Sequence, residues 1–254
     1  MAGTRVDVRT IRGVRHLTFD NPAKLNVLDR GVLRAVIDNV NEAAERDTAL
    51  VFTGAGDRSF SAGMHLDSFT GLDAAGARDL ISDLGEMLSA VRTCPIPTIA
   101  AINGYCLGAA FELALVCDLR IAADDASVGL PEVKVGIPSV LDASLLSQFV
   151  GLGLAKEVML TGELYQVDQL APTMLFNRVV HRTELTDAVE AYVAKFRPLS
   201  RPAIAAQKAL FENWLNVPHT VGTDLSVREF AATFERAETS EHVERARRTT
   251  GARG

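Results

Sequence analysis

Three stretches of this sequence carry side chains whose chemistry a folded chain must account for. The first is residues 104–119, GYCLGAAFELALVCDL, in which everything from Ala109 to Cys117 is apolar except Glu112. A helix apolar all round is a buried helix, and a carboxylate is almost never buried without a partner. Glu112 therefore calls for a partner, a raised pKa or a water-filled pocket. Two readings stay open from the residues: a core carboxylate satisfied by a nearby cation such as Arg120, or a working acid–base group. The second stretch is residues 127–140, SVGLPEVKVGIPSV, a loop punctuated by Gly and Pro with Glu132 directly after Pro131. Taken alone, Glu132 reads as a solvated loop residue. It follows Glu112 by 20 residues, room for a helix end, a strand and a return loop, so the two carboxylates can meet at one end of one sheet. The third stretch is residues 53–69, TGAGDRSFSAGMHLDSF, a Gly-rich loop after an apolar strand. Ligands of open parallel sheets sit at such strand ends; the alternative is a surface turn. A nucleotide fingerprint is absent, with neither GxxxxGK[ST] nor GxGxxG. The five histidines (16, 65, 181, 219 and 242) show no ligand spacing, so no metal is expected.

These stretches need elements to hold them. Val6, Val8, Val14, Leu17 and Phe19 read as a hairpin turning at Arg12-Gly13. NPAKLN (21–26) is a loop, followed by a helix with apolar residues from Leu28 to Ala44 at helical spacing. ALVFT (49–53) is a short buried strand. A second helix carries Leu80, Ile81, Leu84, Leu88 and Val91 and is closed by Pro95 and Pro97. Residues 98–102 read as a strand, 104–117 as a turn entering a helix, and 119–123 as a strand again. Strands alternating with helices imply parallel crossover units, here to about residue 130. Beyond about 140 the pattern is helical, with one strand at 177–180 and helices around 184–196, 202–215 and 221–246. The Arg- and Glu-rich tail after Glu235 is expected to be solvated or packed on a partner subunit.

Composition narrows the class. The chain has 254 residues, 48% hydrophobic and 23% charged, and a net charge of −6. That is an ordinary globular balance and excludes disordered, collagen-like and coiled-coil chains. The acidic balance argues against nucleic acid as a partner. No apolar run approaches the roughly 18 residues that span a bilayer, so no membrane association is expected. The opening MAGTRVDVRTIRG lacks the apolar core of a secretory signal, and the ending TTGARG lacks the peroxisomal Ser-Lys-Leu. Three cysteines without CxxC spacing fit reduced thiols, and the expectation is a cytoplasmic protein.

Taken together, FSAGMHL (60–66), INGYCLGAAFELALVCDLRIA (102–122) and GLPEVKVGIPS (129–139), supported by NPAKLNVLD, LTGE and NRVV, resemble the enoyl-CoA hydratase/isomerase (crotonase) superfamily across nearly the whole chain. The resemblance implies an α/β fold with a crotonase-type ββα spiral core, over residues 1–195. It also implies a helical C-terminal region, 196–254, that joins copies into a homotrimer or a dimer of trimers. It implies acyl-CoA thioester substrates, a thioester enolate, and no cofactor beyond the coenzyme A that the substrate carries. The enolate oxygen would be held by the backbone N–H groups of Met64 and Ala109, where a helix start favours negative charge. Glu132 would deliver the proton to the α-carbon and Glu112 would deprotonate the attacking water. Possession of both favours hydration over isomerisation, lyase or hydrolase chemistry.

The resemblance further places Lys24, Leu25, Ala62, Met64, His65, Leu66, Gly108, Ser139 and Asp142 around substrate and coenzyme A. Several positions depart from the family's pattern. Met64 replaces a small residue and Ala109 a glycine. Ser139-Val140-Leu141-Asp142 stands where many hydratases are Gly-rich, and Ser139 falls where some relatives carry a third catalytic carboxylate. Ser139 reads as the N-cap of a helix starting near Val140 or as a hydroxyl that holds water or substrate, and Asp142 as a first-turn residue that could face the acyl pocket. Lys24 reads as a solvated lysine or a contact to the nucleotide end. His65 and Asp67 read as loop-surface residues. Phe230 and Phe234 read as plain core, or as the segment that closes the acyl pocket across a subunit boundary in relatives.

Overall fold

A computed structural model describes residues 3–251. The chain opens on a hairpin in which β1 (Arg5–Ile11) pairs antiparallel with β2 (Val14–Asp20). Arg12 and Gly13 both have positive φ, 52° and 76°, the turn whose twist matches the strands it joins. After a 3-10 turn at Pro22–Lys24, α1 (Arg30–Arg46) begins where the Asp29 side chain accepts the Val32 N–H. Its stripe Val32, Leu33, Val36, Val40 and Ala43 is buried.

The chain then repeats one move three times: a strand, a short second strand, a helix. The turns are β3 (Ala49–Gly54), β4 (Ser59–Ser61) and α2 (Ala74–Arg92); β5 (Thr98–Ile102), β6 (Tyr105–Leu107) and α3 (Ala109–Val116); β7 (Leu119–Ala123), β8 (Ser127–Gly129) and then α4 (Leu146–Val150) with α5 (Leu152–Thr161). The first strand of each turn joins a six-stranded sheet, order β1-β2-β3-β5-β7-β10, which ends on β10 (Arg178–Val180). The second joins a four-stranded sheet, order β4-β6-β8-β9, which ends on β9 (Tyr165–Gln166) just before α6 (Val167–Leu170). Pairing is parallel except in the β1/β2 hairpin and between β8 and β9. This is the ββα spiral.

Alternation along the large sheet explains its two covered faces. Val14, Val51, Ile99 and Ile121 pack with Leu185, Val189 and Val193 of α7 (Leu185–Phe196). Leu17, Leu50, Phe52, Ala100 and Ile102 belong instead to the main core, together with α1, α2 and α3. Asn103, buried where the second turn changes sheets, ties it to the first: its amide donates to the Gly54 and Gly56 carbonyls and its oxygen accepts the Gly54 N–H.

Four sequence expectations change here. The four strands of the small sheet were not foreseen, and β6 lies inside the segment read as a turn into a helix. Strands of two or three residues are too short for a period to register. The segment after Val140 starts as a 3-10 turn, Leu141–Leu145, before α4. The single helix expected over 221–246 is two, α9 (His219–Thr233) and α10 (Ala237–Gly251), which follow α8 (Arg201–Asn216). The break forms because the N–H groups of Phe234, Glu235 and Arg236 reach back only three residues, and the Thr239 hydroxyl takes the Thr233 carbonyl at 2.5 Å. Phe230 and Phe234 are not core: they are 68% and 53% exposed. No helix among the described residues is long and apolar enough to cross a membrane. Residues 252–254, in the ending read above, lie outside the described residues.

Candidate active site

Each strand of the small sheet's three parallel members ends in a loop, and the three loops converge on one cavity of about 680 Å³. The loop after β4 brings Ala62, Met64, His65 and Leu66. The loop after β6 brings Gly108 and Ala109, with Glu112 one helical turn on. The 3-10 turn after β8, Pro131–Val135, brings Glu132. Lys24 reaches the same cavity, and Val27, Phe69, Ile81, Leu84, Ile137 and Val140 form its apolar wall.

Two backbone donors are presented together. Leu28 forms a parallel bridge to Met64: the Leu28 N–H donates to the Gly63 carbonyl at 2.8 Å and the His65 N–H to the Leu28 carbonyl at 2.7 Å. These bonds fall on the residues either side of Met64 and leave its own N–H outside the pairing. Ala109 opens α3, so its N–H has no carbonyl four residues back within the helix. The two segments touch. A Cβ on Gly63, whose φ is +83°, would stand 2.6 Å from the Leu107 carbonyl oxygen and 3.3 Å from the Ala109 nitrogen. Only glycine permits that approach.

All eight residues of α3 are buried, which fixes its two ends in different surroundings. At the C-terminal end the Arg120 guanidinium donates to the carbonyls of Ala114, Leu115 and Cys117, and also to Leu175. Arg120 is therefore the cap of the helix and not the partner of Glu112, which stands in the first turn. Glu112 is 2% exposed, and its Oε2 is enclosed with no hydrogen-bond partner among the described residues. Its carboxyl is pushed up to about 8, first by burial, then by the nearby charge of Glu132, with a smaller push from Asp142. The N–H groups of Ala143 and Asp142 act in the opposite sense.

Glu132 is held from two sides. The Ser139 hydroxyl donates to Oε2 at 2.8 Å. Oε1 lies against Gly108, where a Cβ would stand 2.7 Å from it and where φ +54° with ψ −130° suits glycine. Ser139 is thus not a helix cap. The 3-10 turn that follows takes Val140 as its flanking residue without any side-chain cap, and the Ile137 N–H closing onto the Glu132 carbonyl folds residue 139 back over residue 132.

Ser139 reaches the site only through Glu132 and does not itself line the cavity, and two further expected site residues also lie off its wall. Asp142 occupies a first turn, as read, but its carboxylate points to Arg92, 3.9 Å away, and not into the cavity. Leu25 does not line the cavity; its carbonyl accepts the Ala62 N–H and so shapes the first loop. Lys24 Nζ stands 3.1 Å from His65 Nε2, and His65 Nδ1 accepts the Asp67 N–H. Sequence reasoning missed Asn26, which is fully buried: its amide donates to the Ala55 and Ser59 carbonyls and its oxygen accepts the Asn21 N–H. Its place at the end of NPAKLN was the signal. It also missed Ile81 and Leu84, whose helical spacing marks them as buried without telling core from cavity wall.

Known proteins share this sequence and fold. The crotonyl-CoA hydratase of Syntrophomonas wolfei subsp. wolfei is 34% identical over 197 residues, covering 76% of this chain and 75% of that one. The short-chain-enoyl-CoA hydratase of Clostridium acetobutylicum is 32% identical over 183 residues, 70% of each. The crystal structure of an enoyl-CoA hydratase from Bacillus anthracis superposes with a TM-score of 0.89 at 25% identity, covering 98% of this chain and 97% of that one. A family model described as enoyl-CoA hydratase/isomerase matches residues 9–248. With the spiral fold and three loops meeting at one cavity, the chain belongs to the enoyl-CoA hydratase/isomerase family.

Proposed function

We propose that this protein adds water across the double bond of a 2-enoyl-CoA thioester to give a 3-hydroxyacyl-CoA, through an enolate. The observation that carries the reading is the pair Glu112 and Glu132 in one cavity beside two backbone donors. Hydration needs one group to take a proton from water and another to give one to the α-carbon, so the pair must hold a single proton between them. Burial supplies it, because Glu112 keeps a proton until about pH 8. In the working complex that proton passes from Glu112 to Glu132, which delivers it to the α-carbon, while Glu112, now ionised, receives one from the water attacking the β-carbon and so returns the pair to its starting state. The electron pair displaced onto the thioester oxygen is met by the N–H groups of Met64 and Ala109; one such donor is worth ~3 kcal/mol of barrier.

Lys24 and Lys134 supply the positive side chains of the cavity, with His65 beside Lys24, and they are assigned to the phosphates of coenzyme A. The apolar wall takes the acyl chain. Residues 196–254 are assigned to joining copies, as a trimer or dimer of trimers. The exposed Phe211, Trp214, Leu215, Val227, Phe230 and Phe234 support this, since large apolar side chains exposed in such number on two successive helices mark an interaction surface.

Crotonyl-CoA consumption, followed at the enone absorbance with incorporation of solvent oxygen, tests the reaction. Turnover in wild type that falls by orders of magnitude in both Glu112→Gln and Glu132→Gln is the expected result. Tight binding of the thioester without turnover would refute simple hydration and leave isomerase, lyase or hydrolase chemistry to be assayed.

A further inference from the structure

Ser139 binds Glu132 where a helix cap was expected, and the geometry gives that contact a task. We infer that Ser139 is a positioning residue for Glu132: it binds Oε2, so that Oε1 alone exchanges the proton with the substrate's α-carbon. This rests on the reading of Glu132 as the group that acts on the α-carbon.

The argument begins with the number of directions a carboxylate has. A free glutamate can present either oxygen, in several rotamers, and each wrong presentation costs rate. Here the two oxygens are made unequal. Oε2 accepts the only hydrogen of the Ser139 hydroxyl at 2.8 Å. Oε1 sits over the bare Cα of Gly108, the residue before the Ala109 donor, in space that any side chain would fill. Oε1 is therefore the oxygen beside the place where the enolate oxygen is held. The other charged or titratable groups on the cavity are Lys24, His65, Asp67 and Lys134; Lys134 also pairs with Glu163 at 2.8 Å.

A partial reaction isolates this role. On a saturated thioester such as butyryl-CoA in heavy water, Glu132 takes a C2 proton, the C–H electron pair moves to the thioester oxygen, and a deuteron returns from Glu132 to C2. No water adds. The experiment measures C2 exchange and crotonyl-CoA hydration, each against pH, for wild type, Ser139→Ala, Ser139→Thr and Glu132→Gln. Expected are losses in Ser139→Ala of about 10- to 100-fold in both exchange rate and kcat, the weight of a hydrogen bond to a charged group. KM should be nearly unchanged, and Ser139→Thr should recover most of the rate. Wild-type rates in Ser139→Ala, with Glu132→Gln inactive, would overturn the assignment of Ser139 alone. A wild type that neither exchanges nor hydrates would overturn the functional reading and this inference together.

Discussion

Replacing Glu112 by Gln should make the protein more stable and less active, with a stability gain that grows with pH. The unfolded chain ionises this carboxyl near its ordinary value of 4.5, whereas the folded chain holds the proton to about 8. A folded pKa raised above the unfolded one means that the carboxyl's ionisation favours the unfolded state. The stability is complete below about 4.5 and is lost progressively as pH rises toward 8, then levels off. Each pH unit inside that window costs about 1.4 kcal/mol. Between pH 6 and pH 8 the wild type should therefore lose about 2 kcal/mol that Glu112→Gln does not lose, since Gln is isosteric and carries no charge to bury. The assay is urea unfolding of both proteins at pH 6 and 8, at one protein concentration so that association does not enter. The difference between them should widen by about 2 kcal/mol over the interval while crotonyl-CoA turnover falls in the variant. A difference that stays constant with pH, or a variant less stable at pH 8, would show that Glu112 does not hold its proton by burial. The single-proton account of the pair would then fail.

Other consequences follow from the same geometry. The rate of hydration should decline as pH rises through about 8, because the carboxyl pair then loses its one proton; a profile of kcat/KM against pH, with an alkaline limb that vanishes in Glu112→Gln's residual activity, checks this. Gly108→Ala should cut kcat at least about 100-fold with modest loss of stability, since the new methyl meets Glu132 Oε1 and the backbone there has φ +54°; kinetics beside a thermal melt separate the two effects. Arg120→Met should destabilise the fold by about 3–5 kcal/mol, because four carbonyls lose a buried charged donor together. Chemical denaturation measures it, and a loss below 1 kcal/mol would refute the capping role of Arg120.

What the residues disclosed depends on how far each signal reaches along the chain. The elements of the large sheet and the helices over it were legible, because 17 residues of α1 or 19 of α2 repeat a period several times. The apolar run around Glu112 announced a buried carboxyl for the same reason. The small sheet was not legible: β4, β6 and β8 have three residues each, and their pairing is decided by contacts 20 to 50 positions away. That absence hid the common origin of the three loops. The Ser139 contact was equally hidden. A serine ahead of a helix looks the same whether it caps that helix or reaches back over a 3-10 turn to a carboxylate, and only the fold of 132–139 decides. Arg120 was visible as a cation near Glu112 in sequence, but eight residues of helix put them at opposite ends.

The three turns of the spiral have a consequence for how such a chain can change over time. On the proposed assignment each turn places one working group at its own short-strand terminus: the Met64 N–H, the Ala109 N–H with Glu112 behind it, and Glu132. The anion-holding part would then lie on the first two, and the loop of the third, from Leu130 to Val140, could be rewritten by a handful of substitutions that leave the paired strand β8 in place. A duplicated copy of this gene would therefore keep its hold on the thioester while its proton traffic drifted, so new reactions on the same carrier should arise first in that third segment.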